Sequence, residues 1–330
     1  MKVLFIGGTG NISTSVSRQA VAAGFKLTLL NRGRSGETIP GARMVTADIN
    51  DPAGVRAVLG SERFDVVVNW IAFTPAEVAR DIDLFTGQTG QYIFISSASA
   101  YQKPPASPFI TEATPLHNPF WRYSQQKIGC EESLMRAYRD SGFPVTIVRP
   151  SHTYDKMLPV AVGGSSSFTV AARIRRGQPV VVHGDGTSLW VVTHAEDFAR
   201  GFLGLLGLHR SVGSAFHITS DEVLTWNQIY QDLGAALGVE PKLVHIPSEF
   251  IARIDPGTGA GLLGDKAHSV IFDNTRIKTF VPGYQAVIPF HLGVRRSLAW
   301  FEADPARMAV DAAADAALDR MLATFQRLGD

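Results

Sequence analysis

Tyr123 and Lys127 stand four positions apart in a stretch, 120–141, that reads as a long helix, so both side chains project from one helical face. A cation beside a phenol stabilises the phenolate and draws its pKa toward the operating pH. A tyrosine that gives or takes a proton at a carbinol carbon needs this. Alone, Tyr-x-x-x-Lys is a common accident and reads better as an exposed helix pair; its context favours chemistry. The apolar run 92–96 ends in Ser96-Ser97-Ala98-Ser99-Ala100-Tyr101, delivering hydroxyls at the carboxyl end of a strand, where open α/β sheets bind their ligands. A second stretch is chemical as well. The apolar run 2–6 enters Gly7-Gly8-Thr9-Gly10-Asn11-Ile12-Ser13, continues as a helical pattern and returns through an apolar run at 26–30. Gly7 and Gly10 lack a Cβ, so backbone can bend sharply and approach a ligand. The free N–H groups opening the next helix favour a phosphate. A glycine turn between a strand and a helix reads as a dinucleotide site.

These residues need a scaffold, and the chain alternates strand and helix to supply it. Strand patterns at 2–6, 26–30, 43–47, 64–69, 92–96 and 145–149 are separated by helical patterns at 52–59, 75–85 and 120–141. Such alternation implies an α/β fold, a Rossmann-type doubly wound parallel sheet with helices on both faces. Residues 1–150 read as the dinucleotide-binding domain. Residues 151–330 read mainly as a smaller, discontinuous substrate-binding part, with segments near 190–220 and 270–280 returning to the first domain. Within this second part, 225–237 reads as a helix closed by Gly238, and Asp273 and Asn274 are placed to cap 275–280. The glycine-rich stretch 256–265 reads as a flexible loop. Arg173, Arg175 and Arg176 read as a solvated helix end. The tail from Pro305 reads as an amphipathic helix with Leu318, Met321, Leu322 and Phe325 on one side.

Composition narrows the function. At 330 residues the chain can bury a full core, and with 18% charged residues and a formal net charge of +1 it has no global attraction for nucleic acid or acidic membranes. No signal peptide and no run of about twenty apolar residues is read, and the single Cys130 excludes an intrachain disulfide framework. The expected compartment is the cytoplasm. No cluster of His, Asp, Glu or Cys has metal-ligand spacing, so no metal is expected.

Taken together, several motifs resemble the extended branch of the short-chain dehydrogenase/reductase family, which includes UDP-galactose epimerase and the nucleotide-sugar dehydratases. They are Gly7-x-x-Gly10, Asp48-Ile49-Asn50-Asp51, residues 69–72, Ser97, Tyr123-x-x-x-Lys127, Arg149-Pro150 with Tyr154, and Gly184-Asp185-Gly186 before 191–197. The resemblance implies that Ser97 hydrogen-bonds the reacting oxygen and Tyr123 transfers its proton. It implies that Lys127 binds the nicotinamide ribose and lowers the pKa of Tyr123. Gly7, Thr9, Gly10, Asn11, Ile12, Asp48, Ile49, Ala72 and Pro150 are then cofactor-binding residues, and a homodimer built on the helices 75–85 and 120–141 is implied.

The departures matter as much. Ser13 replaces the third family glycine, and its small side chain still allows close approach. Where NAD-preferring relatives carry an acid for the ribose 2′-OH, this chain has Asn31 and Arg32, with Arg34 nearby. Those charges suit a 2′-phosphate, so NADP is favoured over NAD. Ala98 and Ser99 stand where dehydratases carry an Asp-Glu pair, and Ala98 stands where GDP-sugar epimerising synthases use a Cys. Cys130 reads as packed. His152 and Trp190 occupy positions that are Asn and a phosphate-pairing Arg in many nucleotide-sugar enzymes. Ser99, His152 and Trp190 are therefore candidate substrate residues for a small neutral or weakly charged, sugar-like compound, Trp190 by stacking and His152 by assisting proton transfer near neutrality. Core or structural roles remain open for both, His194 reads as structural, and Lys266 and His268 read as surface residues. The function expected is hydride transfer at a secondary alcohol or ketone. The alternatives are an epimerase without net redox change and a non-catalytic regulatory or RNA-associated nucleotide-binding protein, of which the chloroplast stem-loop binding proteins are similar extended-family members.

Overall fold

The computed structural model describes residues 1–33 and 37–327. At its centre is β1, Lys2–Ile6, whose last four residues are fully buried. It pairs in parallel with β2, Lys26–Asn31, on one side and with β4, Phe64–Asn69, on the other. Beyond β2 lies β3, Arg43–Thr46; beyond β4 come β5, Thr89–Ile95, then the strands Val145–Pro150 and Ala215–Ile218. All seven strands are parallel. Burial on both faces explains why the inner strands run apolar without alternation, as in Val66, Val67 and Val68, whereas the edge strand β3 is largely exposed. The strand order reverses between β1 and β4, and a crevice opens there at the carboxyl ends.

Local signals set the helices around this sheet. Helix α1, Ser13–Ala22, follows the glycine turn. Asp51 caps α2, Pro52–Leu59, accepting from Gly54 N, and Thr74 with Glu77 forms a capping box on α3, Pro75–Phe85. Gly142, left-handed at φ 70°, closes α4, Arg122–Ser141. The helix Ala195–Leu203 packs on α1, and the helix Thr275–Phe280 packs on the strand Ala215–Ile218. Among the described residues no helix is long and apolar enough to cross a membrane.

A second core gathers Tyr154, Phe168, Trp190, Trp226, Tyr230 and Phe290 around short strand pairs, Pro179–His183 with Lys242–Ile246 and Leu189–Trp190 with Leu224–Thr225. Thr225 caps the helix Trp226–Leu237 and Gly238 ends it. Three expectations are corrected in this half. Residues 256–265 are not a loop: Asp255 accepts from Thr258 N, Pro256 opens a helix Pro256–Gly261, and a π-helical turn, Leu262–Lys266, follows with Leu262 fully buried. Arg173 is not solvated. It is 2% exposed, paired with Asp315 and Asp319 at 2.6 and 2.7 Å, and donates to Pro179 O. The terminal helix starts at Ala312 rather than 305, because Asp304 and Asp311 cap separate elements, a 3₁₀ turn Pro305–Met308 and the helix Ala312–Gln326. Leu318, Met321 and Leu322 are buried against Ile246 and Leu262, and Phe325 rests on Phe250.

Candidate active site

The glycine turn owes its shape to backbone that side chains rarely allow. Gly7 and Gly8 sit at φ 91° and 102°, and a Cβ on Gly8 would lie 2.8 Å from Leu29 Cδ2. A Cβ on Gly10 would meet only Ser13 Oγ, at 3.4 Å, so the stronger steric demand falls on Gly8 rather than Gly10. Ser17 Oγ donates to Gly8 O and Gly10 N donates to Ser13 Oγ, both at 2.8 Å, which fixes the turn. No side chain caps α1 at Ile12, which leaves the helix N-terminus to a ligand. Asn11 lines the cleft, yet its side chain is committed elsewhere: Nδ2 donates to Thr153 O and Oδ1 accepts from Lys156 N, tying the turn to the second half of the chain.

Two clefts adjoin this turn and share Gly7, Thr9, Ile71 and Phe73. One, of ≈ 520 Å³, runs from the glycine turn to Ser97, Tyr123, Lys127 and Pro150. The other, of ≈ 460 Å³, is walled by Asn31, Arg32, Asp48 and Ile49. Together they have the size of a small-molecule site, and positive-φ glycines that a Cβ would obstruct fit the close approach of a dinucleotide. Asn31 Oδ1 accepts from Gly33 N at 3.0 Å, and Asp48 Oδ1 accepts from Asn50 N. Arg32 is exposed and has no ion pair among the described residues. Arg34 lies outside them.

Helix α4 and the end of β5 bring the three candidate catalytic side chains together. Lys127, 2% exposed, donates to Ala72 O at 2.7 Å and Ile95 O at 2.8 Å, and lies 4.4 Å from the Phe73 ring centre. Ala72 therefore contributes its carbonyl, while its side chain is buried. Burial lowers the Lys127 pKa to about 8. Burial raises the pKa of Tyr123, against the opposing pull of its hydrogen bond with Ser97. This corrects the expected direction: Lys127 is aimed at two carbonyls, and desolvation of the phenolate outweighs what the neighbours offer. Ser97 Oγ lies 2.9 Å from Ser99 Oγ, which in turn accepts from Ser124 Oγ at 2.7 Å.

A third cleft, ≈ 420 Å³, opens from Ser97, Ser99 and Tyr123 toward Trp121, His152, Asp265 and Lys266. His152 faces it, but not as a group that titrates near neutrality. Burial, with the nearby Lys266 charge, lowers its pKa to about 3. Trp190 does not reach the cleft. It is 1% exposed, packed against Trp226 with ring centres 5.4 Å apart and planes tilted by 32°, and its Nε1–H donates to His152 Nδ1 at 3.3 Å, so the expected substrate-stacking indole is a core residue that holds the histidine. Lys266 is not a surface residue. Its side chain is 18% exposed, with the ammonium 5.3 Å from the Trp121 ring centre. His268 is half-buried and its Nε2 lies 3.0 Å from Leu263 O. His194 is buried, accepts from Glu196 N and caps the helix Ala195–Leu203. Cys130 is buried with its thiol pushed up to about 12. Sequence reasoning missed Trp121 and Asp265, which belong to no spacing pattern.

The NAD dependent epimerase/dehydratase family matches residues 3–218. The chain is 26% identical over 287 residues to the 2′-dehydrokanamycin reductase of Streptomyces kanamyceticus, covering 86% of this chain and 80% of that one. It is 28% identical to a chloroplast stem-loop binding protein of 41 kDa from Arabidopsis thaliana, over 76% of this chain and 67% of that protein. Its fold superimposes on a UDP-glucose 4-epimerase solved with UDP-glucose from Thermotoga maritima, with a TM-score of 0.72 at 20% identity, covering 92% of this chain and 99% of that one. An epimerase from Methanothermobacter thermautotrophicus gives a TM-score of 0.76 at 16% identity, covering 93% and 94%. The chain belongs to the NAD dependent epimerase/dehydratase family and is an NAD(P)-dependent oxidoreductase or epimerase.

Proposed function

We propose that the protein is an NADP-linked reductase that converts a ketone of a small, sugar-like compound into a secondary alcohol. One observation carries this reading: Ser97, Tyr123 and Lys127 line the same cleft as the glycine turn, so a dinucleotide seated on that turn ends beside a phenol and a buried ammonium. When bound, the cofactor supplies hydride to the carbonyl carbon. Tyr123, its pKa raised by burial, holds a proton that passes to the carbonyl oxygen as that oxygen gains charge. Ser97 orients the same oxygen, and Ser99 and Ser124 orient Ser97. Lys127 would hold the cofactor's ribose. A tyrosine that stays protonated suits reduction better than oxidation, and the likeness to a reductase whose name specifies an oxo aminoglycoside supports that direction. Arg32, exposed in the second cleft with no acid beside it at Asn31, supports NADP over NAD.

The test is NADPH consumption against a panel of oxo-sugars, wild type against Tyr123→Phe. The expected result is a kcat lowered about 10³-fold with the NADPH dissociation constant unchanged. Undiminished turnover in the variant would overturn the assignment. Isomerised product without net NADPH consumption would move the protein to the epimerases. The likeness to a stem-loop binding protein admits a non-catalytic reading, but a formal charge of +1 and the assembled hydroxyl, phenol and ammonium favour catalysis.

A further inference from the structure

The third cleft holds a cation with no full partner. Lys266 Nζ is 3.9 Å from Asp265 Oδ2, beyond hydrogen-bond reach, while Asp265 Oδ1 is taken by Lys103 at 3.2 Å. Among the described residues no hydrogen bond from Lys266 Nζ exists, and Asp265 is the only carboxylate lining the cleft. The backbone presenting this ammonium is fixed, because Lys266 O accepts from both His183 Nε2 at 2.9 Å and Trp226 Nε1 at 3.1 Å. Its neighbour His152 is fixed too. An indole N–H can only donate, so His152 Nδ1 accepts and the ring proton sits on Nε2, a neutral donor with no partner among the described residues.

We infer that Lys266 and His152 form a recognition site for a carboxylate carried by the substrate, which makes the substrate an oxo or hydroxy sugar acid rather than a neutral polyol or an aminoglycoside. The inference rests on the proposed reductase reading and deepens it. The ammonium lies 5.3 Å and the Tyr123 ring 4.9 Å from the Trp121 ring centre, so one small molecule spans them, its carbonyl at Tyr123 and its carboxylate at Lys266. Burial and the nearby Lys103 charge lower the pKa of Lys266, a strain that an anion in the cleft relieves. One cation and one neutral donor suit a monoanion better than a phosphate dianion. A polyamine would meet Lys266 itself and a single carboxylate already paired with Lys103.

The test is binding, which needs no turnover. Protein saturated with NADP is titrated calorimetrically with D-gluconate, D-glucitol, glucose 6-phosphate and kanamycin. Gluconate is expected to bind at least tenfold more tightly than glucitol. Lys266→Met should erase that preference and Lys266→Arg should keep it, with NADP affinity unchanged in both. Equal binding of gluconate and glucitol, tighter binding of kanamycin, or a preference that survives Lys266→Met would overturn the inference. Tighter binding of the phosphate ester would overturn the carboxylate assignment. Failure of the reductase reading shows separately, as undiminished turnover in Tyr123→Phe.

Discussion

Lys127 and Arg149 are both buried cations beside α4, at 2% and 5% exposure, and their surroundings differ completely. Arg149 has a carboxylate: Nε and Nη2 donate to Glu131 at 2.9 and 2.6 Å, and Glu131 Oε1 also accepts from Ser96 Oγ at 2.5 Å. Attraction to Glu131 raises the Arg149 pKa against its own desolvation. Lys127, one helical turn before Glu131 on α4, has among the described residues no carboxylate partner and donates to the Ala72 and Ile95 carbonyls, and burial lowers its pKa to about 8. A desolvated charge that is fully compensated is scaffold; here it props the strand end that carries Ser96 and Ser97. A desolvated charge left without a counter-ion beside a cleft is what the proposed function uses, since perturbed groups of this kind gather at functional sites.

The largest effect expected from this contrast is at Lys127. Replacement by Met should lower reductase activity about 10³-fold while leaving the fold at least as stable. The sign follows from linkage. Lys127 titrates near 8 when folded and at its ordinary 10.5 when unfolded, so burying its charge costs stability in full below pH 8, and the cost fades as pH rises from 8 to 10.5. Removing the charge should therefore stabilise at pH 7 by about 0.5–2.5 kcal/mol after the loss of two hydrogen bonds to carbonyls, read from urea melts. In the wild type, kcat/KM for NADPH, which reports the free enzyme, should fall above pH 8, and Lys127→Arg should move that limb upward. A profile flat through pH 9 would remove Lys127 from the functional side of the comparison.

Glu131→Gln should do the reverse. It strips the counter-ion from Arg149, whose Nη1 is already buried without a hydrogen-bond partner. The expected cost is about 3–5 kcal/mol of stability, with kcat of the remaining folded protein changed little. Equal destabilisation by Lys127→Met and Glu131→Gln would erase the distinction between scaffold and site.

How much of this was legible depends on how local each cause is. The parallel sheet could be read because strands buried on both faces write themselves as apolar runs, and the turn because glycines between a strand and a helix are a local signal, although the steric demand read onto Gly10 falls on Gly8. The four-residue spacing of Tyr123 and Lys127 showed that both share a face of α4. It could not show how dry that face is, and dryness reverses the expected pKa shift of Tyr123. Trp190 depended on Trp226, 36 positions later, and the cleft position of Lys266 depended on a π-helical turn in a glycine-rich stretch that looks like a loop. Arg173 was misread for the same reason, since its acids come from the terminal helix.

Arg32 extends the comparison to a third cation, one that stays exposed and is free of ion pairs among the described residues. Asn31 beside it offers an amide where a carboxylate would favour a ribose hydroxyl, so the proposed preference for NADP assigns discrimination between the two dinucleotides to Arg32 and its charge. An exposed charge acts through solvent, so Arg32→Ser should weaken NADPH binding about tenfold, or about 1.4 kcal/mol, and leave NADH binding and the urea midpoint unchanged. The wild-type preference for NADPH should shrink as salt rises from 0.05 to about 0.5 M, because the Debye length falls from about 14 to 4 Å. The contribution of Lys127, buried under Phe73 and two carbonyls, should not respond to salt. A preference for NADH in the wild type would overturn the role of Arg32; a salt-independent preference would assign the discrimination to buried contacts instead.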